Sequence, residues 1–298
     1  MSESYATSYF SAPASTLDPE LFEGRNLKSW VRTGILTLLY DFLNKYYRHP
    51  ELWAHTWLAG SGVSYQWAAA RQPGDLDCLI GINYVQFRKA NPEFAGLSDT
   101  EISQHLNEGF RSDLQPGTEN WNGYELTFYV NPGATDIRTI NPYAAYDVTY
   151  NEWTVVPDPS AHAPQVPEWD VVAQSDYAMA KQVGLRFSQA LQDAQYSHND
   201  ANRRNAETRL MNSLQQGNAL FDEIHHNRTF AFSTGGEGYA DFHNYRWQAG
   251  KGLGTIQKLR QIRDYANNLR TQKESSTYGV ELPSSDTLIR RAALYGRA

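Results

Sequence analysis

The apolar positions of this chain change period twice. From Leu27 to Tyr47 they recur at three- and four-residue spacing (Trp30, Ile35, Leu38, Leu39, Phe42, Leu43, Tyr46), the period of one helix face. His49-Pro50 closes the segment, because a residue before proline disfavours helix. The run Trp57-Leu58-Ala59-Gly60-Ser61-Gly62-Val63-Ser64 then reads as a strand turning through glycines into a short helix. A Pro73-Gly74 turn opens a second strand that runs to Ile82. Asp99 to Leu106 has the cap and period of a helix, interrupted by Gln115-Pro116-Gly117, and Gly123 to Val130 alternates as a strand. Tyr146–Thr149 and Glu152–Val156 form a short hairpin about Tyr150-Asn151. Beyond Pro157, Pro159, Pro164 and Pro167 the pattern turns helical. Helices are expected over Ser175–Gln195, from an Asn199-Asp200 cap to His226, and over about Thr255–Arg270, with an aromatic, glycine-rich loop from Phe230 to Tyr239.

This order predicts an α+β chain of four parts. Residues 1–24, rich in Ser, Ala, Pro and Tyr without periodicity, are an arm lacking its own core; 25–157 are a mixed unit; 158–170 are a proline-rich connector; 171–298 are helical. A length of 298 residues with 41% hydrophobic and 13% aromatic content suffices for a packed core. No stretch approaches the ~20 apolar residues of a membrane span, and the polar start is unlike a signal peptide, so no membrane partner and a cytoplasmic location are expected. A single cysteine, Cys78, excludes an internal disulfide and a cysteine-based zinc site. The net charge of −7 argues against a general nucleic-acid coat, although Lys258-Leu259-Arg260-Gln261-Ile262-Arg263, Arg203-Arg204 and Arg290-Arg291 gather positive charge in the second half.

The densest chemistry lies in Pro73-Gly74-Asp75-Leu76-Asp77-Cys78-Leu79-Ile80. In a strand, residues i and i+2 share a face, so Asp75 and Asp77 project together while Leu76 and Cys78 point to a core. Two neighbouring carboxylates are costly without a cation between them, and hard oxygen ligands suit Mg²⁺ bound with substrate phosphates. Gly60 lets the backbone approach a phosphate closely, and Ser61 adds a hydroxyl donor.

Joined in this order, Gly60-Ser61 and Asp75-Leu76-Asp77 resemble the glycine-serine and Asp-x-Asp motifs of the DNA polymerase β-like nucleotidyltransferase superfamily, over roughly Trp30 to Pro157. The resemblance implies a small mixed β-sheet nucleotidyltransferase domain flanked by helices and followed by a helical domain. It also implies a third metal-binding carboxylate on a later strand. Glu125 fits best, because it alternates with apolar residues on a β-prone segment; Asp136, in a Pro-Gly-rich loop, is the weaker candidate, and the family's usual residue is Asp. The implied enzyme uses two Mg²⁺ ions, with Mn²⁺ as an alternative, held by Asp75, Asp77 and Glu125. It transfers a nucleoside monophosphate from a nucleoside triphosphate to a hydroxyl and releases pyrophosphate, with Gly60 and Ser61 on the β- and γ-phosphates. Lys181, Arg246 and Lys251 are candidate triphosphate contacts; Gly250-Lys251-Gly252-Leu253-Gly254-Thr255 is not a Walker loop and reads as a glycine turn before the last helix. RNA, especially a tRNA end, is the first expected acceptor. A second nucleotide, as in second-messenger synthases, or a protein or small-molecule hydroxyl follows, and a catalytically silent nucleotide-binding module is the alternative of another class.

Overall fold

A computed structural model describes residues 8–67, 74–131 and 135–278. The architecture is α+β, in two compact units: residues 11–162, and residues 163–278 together with 8–10. The division falls between His162 and Ala163, within the proline-studded segment.

The first unit opens with a minimal hairpin of β1 (Phe22–Glu23) and β2 (Asn26–Leu27), then α1 (Ser29–Tyr46). There follow β3 (Ala54–Ala59), β4 (Gly74–Ile82), α2 (Tyr84–Ala90), α3 (Asp99–Gly109), β5 (Tyr124–Val130), β6 (Ala145–Asp147) and β7 (Glu152–Val155). The last five strands form one sheet in the order β5-β4-β3-β6-β7. All its pairs are antiparallel except β4 with β5, whose parallel pairing needs a crossover; α2 and α3 supply it. Local sequence fixes where these helices start. Asn83 accepts a hydrogen bond from the Gln86 amide to cap α2, and Ser98 and Glu101 form a reciprocal capping box on α3.

One face of the sheet is sealed by the helices. Leu58, Leu76, Cys78, Ile80, Ile82, Leu126, Phe128 and Val130 pack with Val31, Ile35, Leu39 and Leu43 of α1, Phe87 of α2, and Ile102 and Leu106 of α3. Each fully buried side chain of this size contributes roughly 1.5–3 kcal/mol. Strand alternation then sends Asp75, Asp77, Leu79 and Gly81, with Glu125, Thr127 and Tyr129, to the other face. Residues 11–24, read from composition as an arm, are tied to this unit. Leu17, Leu21 and Phe22 are buried in the same core, Phe22 stacks on Trp153 with ring centroids 5.5 Å apart, and the Tyr124 hydroxyl donates to Asp18 at 2.6 Å. Three well-spaced apolar side chains anchored by a neighbouring sheet leave no periodic signal.

The second unit contains α4 (Pro167–Tyr196), α5 (Asp200–Ala231), α6 (Phe242–Leu253) and α7 (Thr255–Tyr278). The glycine turn expected within residues 250–255, before the last helix, is confined to Gly254 at the end of α6. Gly250 and Gly252 are helical, and the chain turns at Gly254, whose φ of 81° suits glycine. The Asp241 cap and the burial of Tyr245, Trp247 and Ala249 offset the poor helix propensity of the two glycines. Among the described residues no helix is long and apolar enough to cross a membrane.

Cys78 lies fully buried on the helix-covered face, and its thiol is pushed well above its usual range, first by burial and then by the charge of Asp77. The native protein is expected to leave a disulfide reagent such as DTNB unreacted at pH 8, and to release one equivalent of chromophore in urea. Rapid native labelling would show that β4 does not turn this side chain inward.

Candidate active site

Strands β4 and β5 pair with Asp75 opposite Glu125, Leu76 opposite Leu126 and Asp77 opposite Thr127. Partners in a parallel pair share a face. With strands ~4.8 Å apart and i to i+2 ~6.6 Å along a strand, the α-carbons of Asp75, Asp77 and Glu125 mark the corners of a small triangle. Asp75 and Asp77 are exposed and Glu125 is half-buried. The structure thus sets the three sequence-predicted acids on one patch of one face. Among the described residues no three Asp, Glu, His or Cys side chains are gathered into a metal-binding cluster, so the carboxylate oxygens must rotate to converge. Glu125 is one methylene longer than Asp, so its carboxylate has the longer reach along the face.

The glycine turn lies against this patch. Ala59 pairs with Asp77, so β3 ends beside β4's acids and the chain leaves through Gly60. Gly60 adopts φ 89° and ψ −160°, a region essentially reserved for glycine, and a Cβ there would lie 3.2 Å from Asp77 Oδ2. A Cβ on Gly62 would meet the Asp75 carbonyl oxygen and Leu76 Cδ2 at 2.7 Å. At Gly62 the backbone therefore passes β4 at a distance that no Cβ permits, while at Gly60 it is the positive φ that calls for glycine. Ser61–Val63 form a single 3₁₀ turn rather than the expected short helix, because Val63 is buried and Ser64 returns to extended backbone. Carboxylates across from a side-chain-free bend suit an ion shared with a polyphosphate better than a protein-only cage.

Asp136 stands elsewhere. Its carboxylate accepts from Arg138 Nε and from the Arg138 amide, and the hydrogen bonds from the Arg138 guanidinium hold its pKa below the ordinary carboxylate range. The basic candidates belong to the helical unit. Lys181 is exposed on α4 and Lys251 on α6. Arg246 is buried: Nε and Nη2 meet Asp176 at 2.6 and 2.9 Å, and Nη1 meets Glu223 at 2.7 Å. A guanidinium with three nitrogens so engaged, and its charge matched, is a structural ion pair, and Arg246 is set aside as a triphosphate contact.

Sequence reasoning missed one constellation. A cleft of about 870 Å³ on the same unit is lined by His55, Trp57, Asp136, Arg138, Asp147 and Tyr150, among others. His55 Nε2 lies 2.6 Å from Asp147 Oδ2, Asp147 Oδ1 accepts from the Tyr150 amide at 2.7 Å, and the imidazole lies 4.1 Å from the Trp57 ring. The two residues meet only because β3 pairs with β6, which no local pattern announces. His55 lies four residues before Ala59, so this cleft sits ~13 Å along the strand from the acidic patch.

Comparison with protein-family models, with curated proteins and with solved structures returns no match.

Gly60→Ala is expected to lower stability by about 1–3 kcal/mol through its backbone conformation, whereas Gly96→Ala, where a Cβ meets nothing within 4 Å, is expected to leave it nearly unchanged. Urea unfolding separates them, and equal midpoints would contradict the tight bend. For the buried pair, Asp176→Ala is expected to cost about 3–5 kcal/mol by leaving Nε and Nη2 of Arg246 unpaired with only Glu223 still engaged, and Asp176→Leu with Arg246→Met much less. A double variant as unstable as the single one would show that the charges themselves hold α4 to α6.

Proposed function

We propose that this chain is a Mg²⁺-dependent nucleotidyltransferase that moves a nucleoside monophosphate from a nucleoside triphosphate to a hydroxyl on RNA, releasing pyrophosphate. The observation that carries the reading is the β4–β5 register, which sets Glu125 beside Asp75 and two residue pairs from Asp77, against the bend at Gly60. The motif resemblance and this juxtaposition support each other, since the third carboxylate that the resemblance called for, picked by strand pattern, falls next to the first two.

In this reading Asp75, Asp77 and Glu125 hold two Mg²⁺ ions, or Mn²⁺ in their place, which when bound offset charge on the attacking and leaving oxygens. The chain does the rest. Gly60 leaves room for the triphosphate oxygens, and Ser61 donates its hydroxyl to the β- or γ-phosphate. The acceptor oxygen attacks the α-phosphorus, the bond from that phosphorus to the bridging oxygen breaks, and pyrophosphate leaves. Glu125 takes the proton from the acceptor hydroxyl. A nucleotide-binding module without turnover is the second reading; it is favoured by the longer Glu at the third position and by the withdrawal of Arg246 into an ion pair.

The test is transfer of label from α-³²P nucleoside triphosphates to total RNA and protein with Mg²⁺. Asp77→Asn and Asp75→Asn are expected to reduce transfer by about 10³-fold or more, and Glu125→Asp to retain more activity than Glu125→Gln. Wild-type transfer by Asp77→Asn would remove the assignment. Mg²⁺-dependent nucleotide binding without pyrophosphate release would favour the silent module.

A further inference from the structure

Strand β5 is an edge of its sheet, paired only with β4. In a parallel pair alternate residues turn their N–H and C=O groups toward the partner, so a row of donors and acceptors on the far side is left to be met by other means. Three residues of β5 have both groups met there, each by one other residue. Tyr124 exchanges backbone hydrogen bonds of 3.0 and 2.6 Å with Trp121. The Leu126 amide donates to the Thr118 carbonyl at 2.9 Å, and the Leu126 carbonyl accepts from the Thr118 hydroxyl at 2.8 Å. The Val130 amide donates to the Asn107 side-chain oxygen at 2.7 Å, and the Val130 carbonyl accepts from the Asn107 side-chain nitrogen at 2.8 Å.

Glu125 stands between the first two of these. The residues on either side of it are clamped from outside, while its own backbone groups turn to β4. The clamps are themselves fixed. Thr118 is fully buried, and its amide donates to the Gln115 carbonyl at 2.9 Å. Trp121 and Tyr124 close a tight turn through Asn122 and Gly123, both at positive φ, and the Trp121 ring fills the notch at Gly34 of α1, where a Cβ would lie 2.5 Å from it. Of the two clamps beside Glu125, only that of Thr118 rests on a side chain, so it can be removed without altering the turn. Groups one step behind a metal ligand fix its orientation, and losing one costs about 10- to 100-fold in metal affinity.

We propose that Thr118 is a positioning residue for the metal site, its hydroxyl bond to the Leu126 carbonyl fixing the backbone from which Glu125 reaches divalent ions shared with Asp75 and Asp77. The inference rests on the metal reading above. Without the hydroxyl, the carbonyl of the fully buried Leu126 loses its outer partner, and the edge of β5 beside Glu125 is free to turn. All three acids then remain in the chain, but the third no longer starts from a fixed point.

The test is titration of the full chain with Mn²⁺ and a non-hydrolysable nucleoside triphosphate analogue, read by electron paramagnetic resonance, beside amide hydrogen exchange without metal or nucleotide. Thr118→Val keeps the shape and removes the hydroxyl. It is expected to weaken Mn²⁺ binding by on the order of tenfold and to speed exchange at Glu125 and Leu126. Thr118→Ser is expected to bind near the wild-type level and Thr118→Ala to fall with the valine variant, so the comparison holds even if valine prevents folding. Tyr47→Phe removes a buried hydrogen bond with His105 in the same unit and is expected to keep wild-type affinity, which separates position from stability. Wild-type affinity and unchanged exchange in folded Thr118→Val and Thr118→Ala, or an equal loss in Tyr47→Phe, would overturn the inference; loss of binding in Asp77→Asn would then still uphold the metal reading. A wild-type chain that binds no Mn²⁺, or binding that survives Asp77→Asn, would overturn that reading and this inference with it.

Discussion

The proposed site depends on two parallel strands held in one register. Parallel pairing is available to β4 and β5 because the segment between them is long enough for α2 and α3 to return the chain to the same end of the sheet. The register is set from the buried side. Leu76 beside Leu126, Cys78 beside Phe128 and Ile80 beside Val130 fill the space under the helices. A slip of one residue would turn β5's apolar set outward and Glu125 inward, at a cost of several kcal/mol for the exposed side chains alone. The acids are therefore neighbours because the hydrophobic residues between them must be buried, and an apolar constraint produces the polar site.

The same logic explains what the amino-acid sequence disclosed and what it withheld. Alternation placed β5 at Tyr124–Val130, and the cap and helical period of Asp99–Leu106 announced α3. Alternation also told which side of β4 bore Asp75 and Asp77, while the search for a third carboxylate came from the family resemblance and strand pattern then picked Glu125. Spatial neighbours distant in the chain carried no such signal. His55 and Asp147 meet across β3 and β6, and the burial of Arg246 between Asp176 and Glu223 depends on three helices. Gly250 and Gly252 misled for a different reason: local propensity favoured a turn, and the packing of Trp247 and its neighbours overrode it.

The central claim is that Asp75, Asp77 and Glu125 close around divalent ions shared with a triphosphate at the Gly60 bend. A crystal structure grown with Mn²⁺ and a non-hydrolysable nucleoside triphosphate analogue tests it most directly, because manganese can be located by its anomalous scattering. The account predicts manganese peaks between these three carboxylates and the analogue's phosphates, with Glu125 rotated inward. A well-ordered analogue bound away from the acidic patch, or peaks that leave Glu125 uncoordinated, would contradict it.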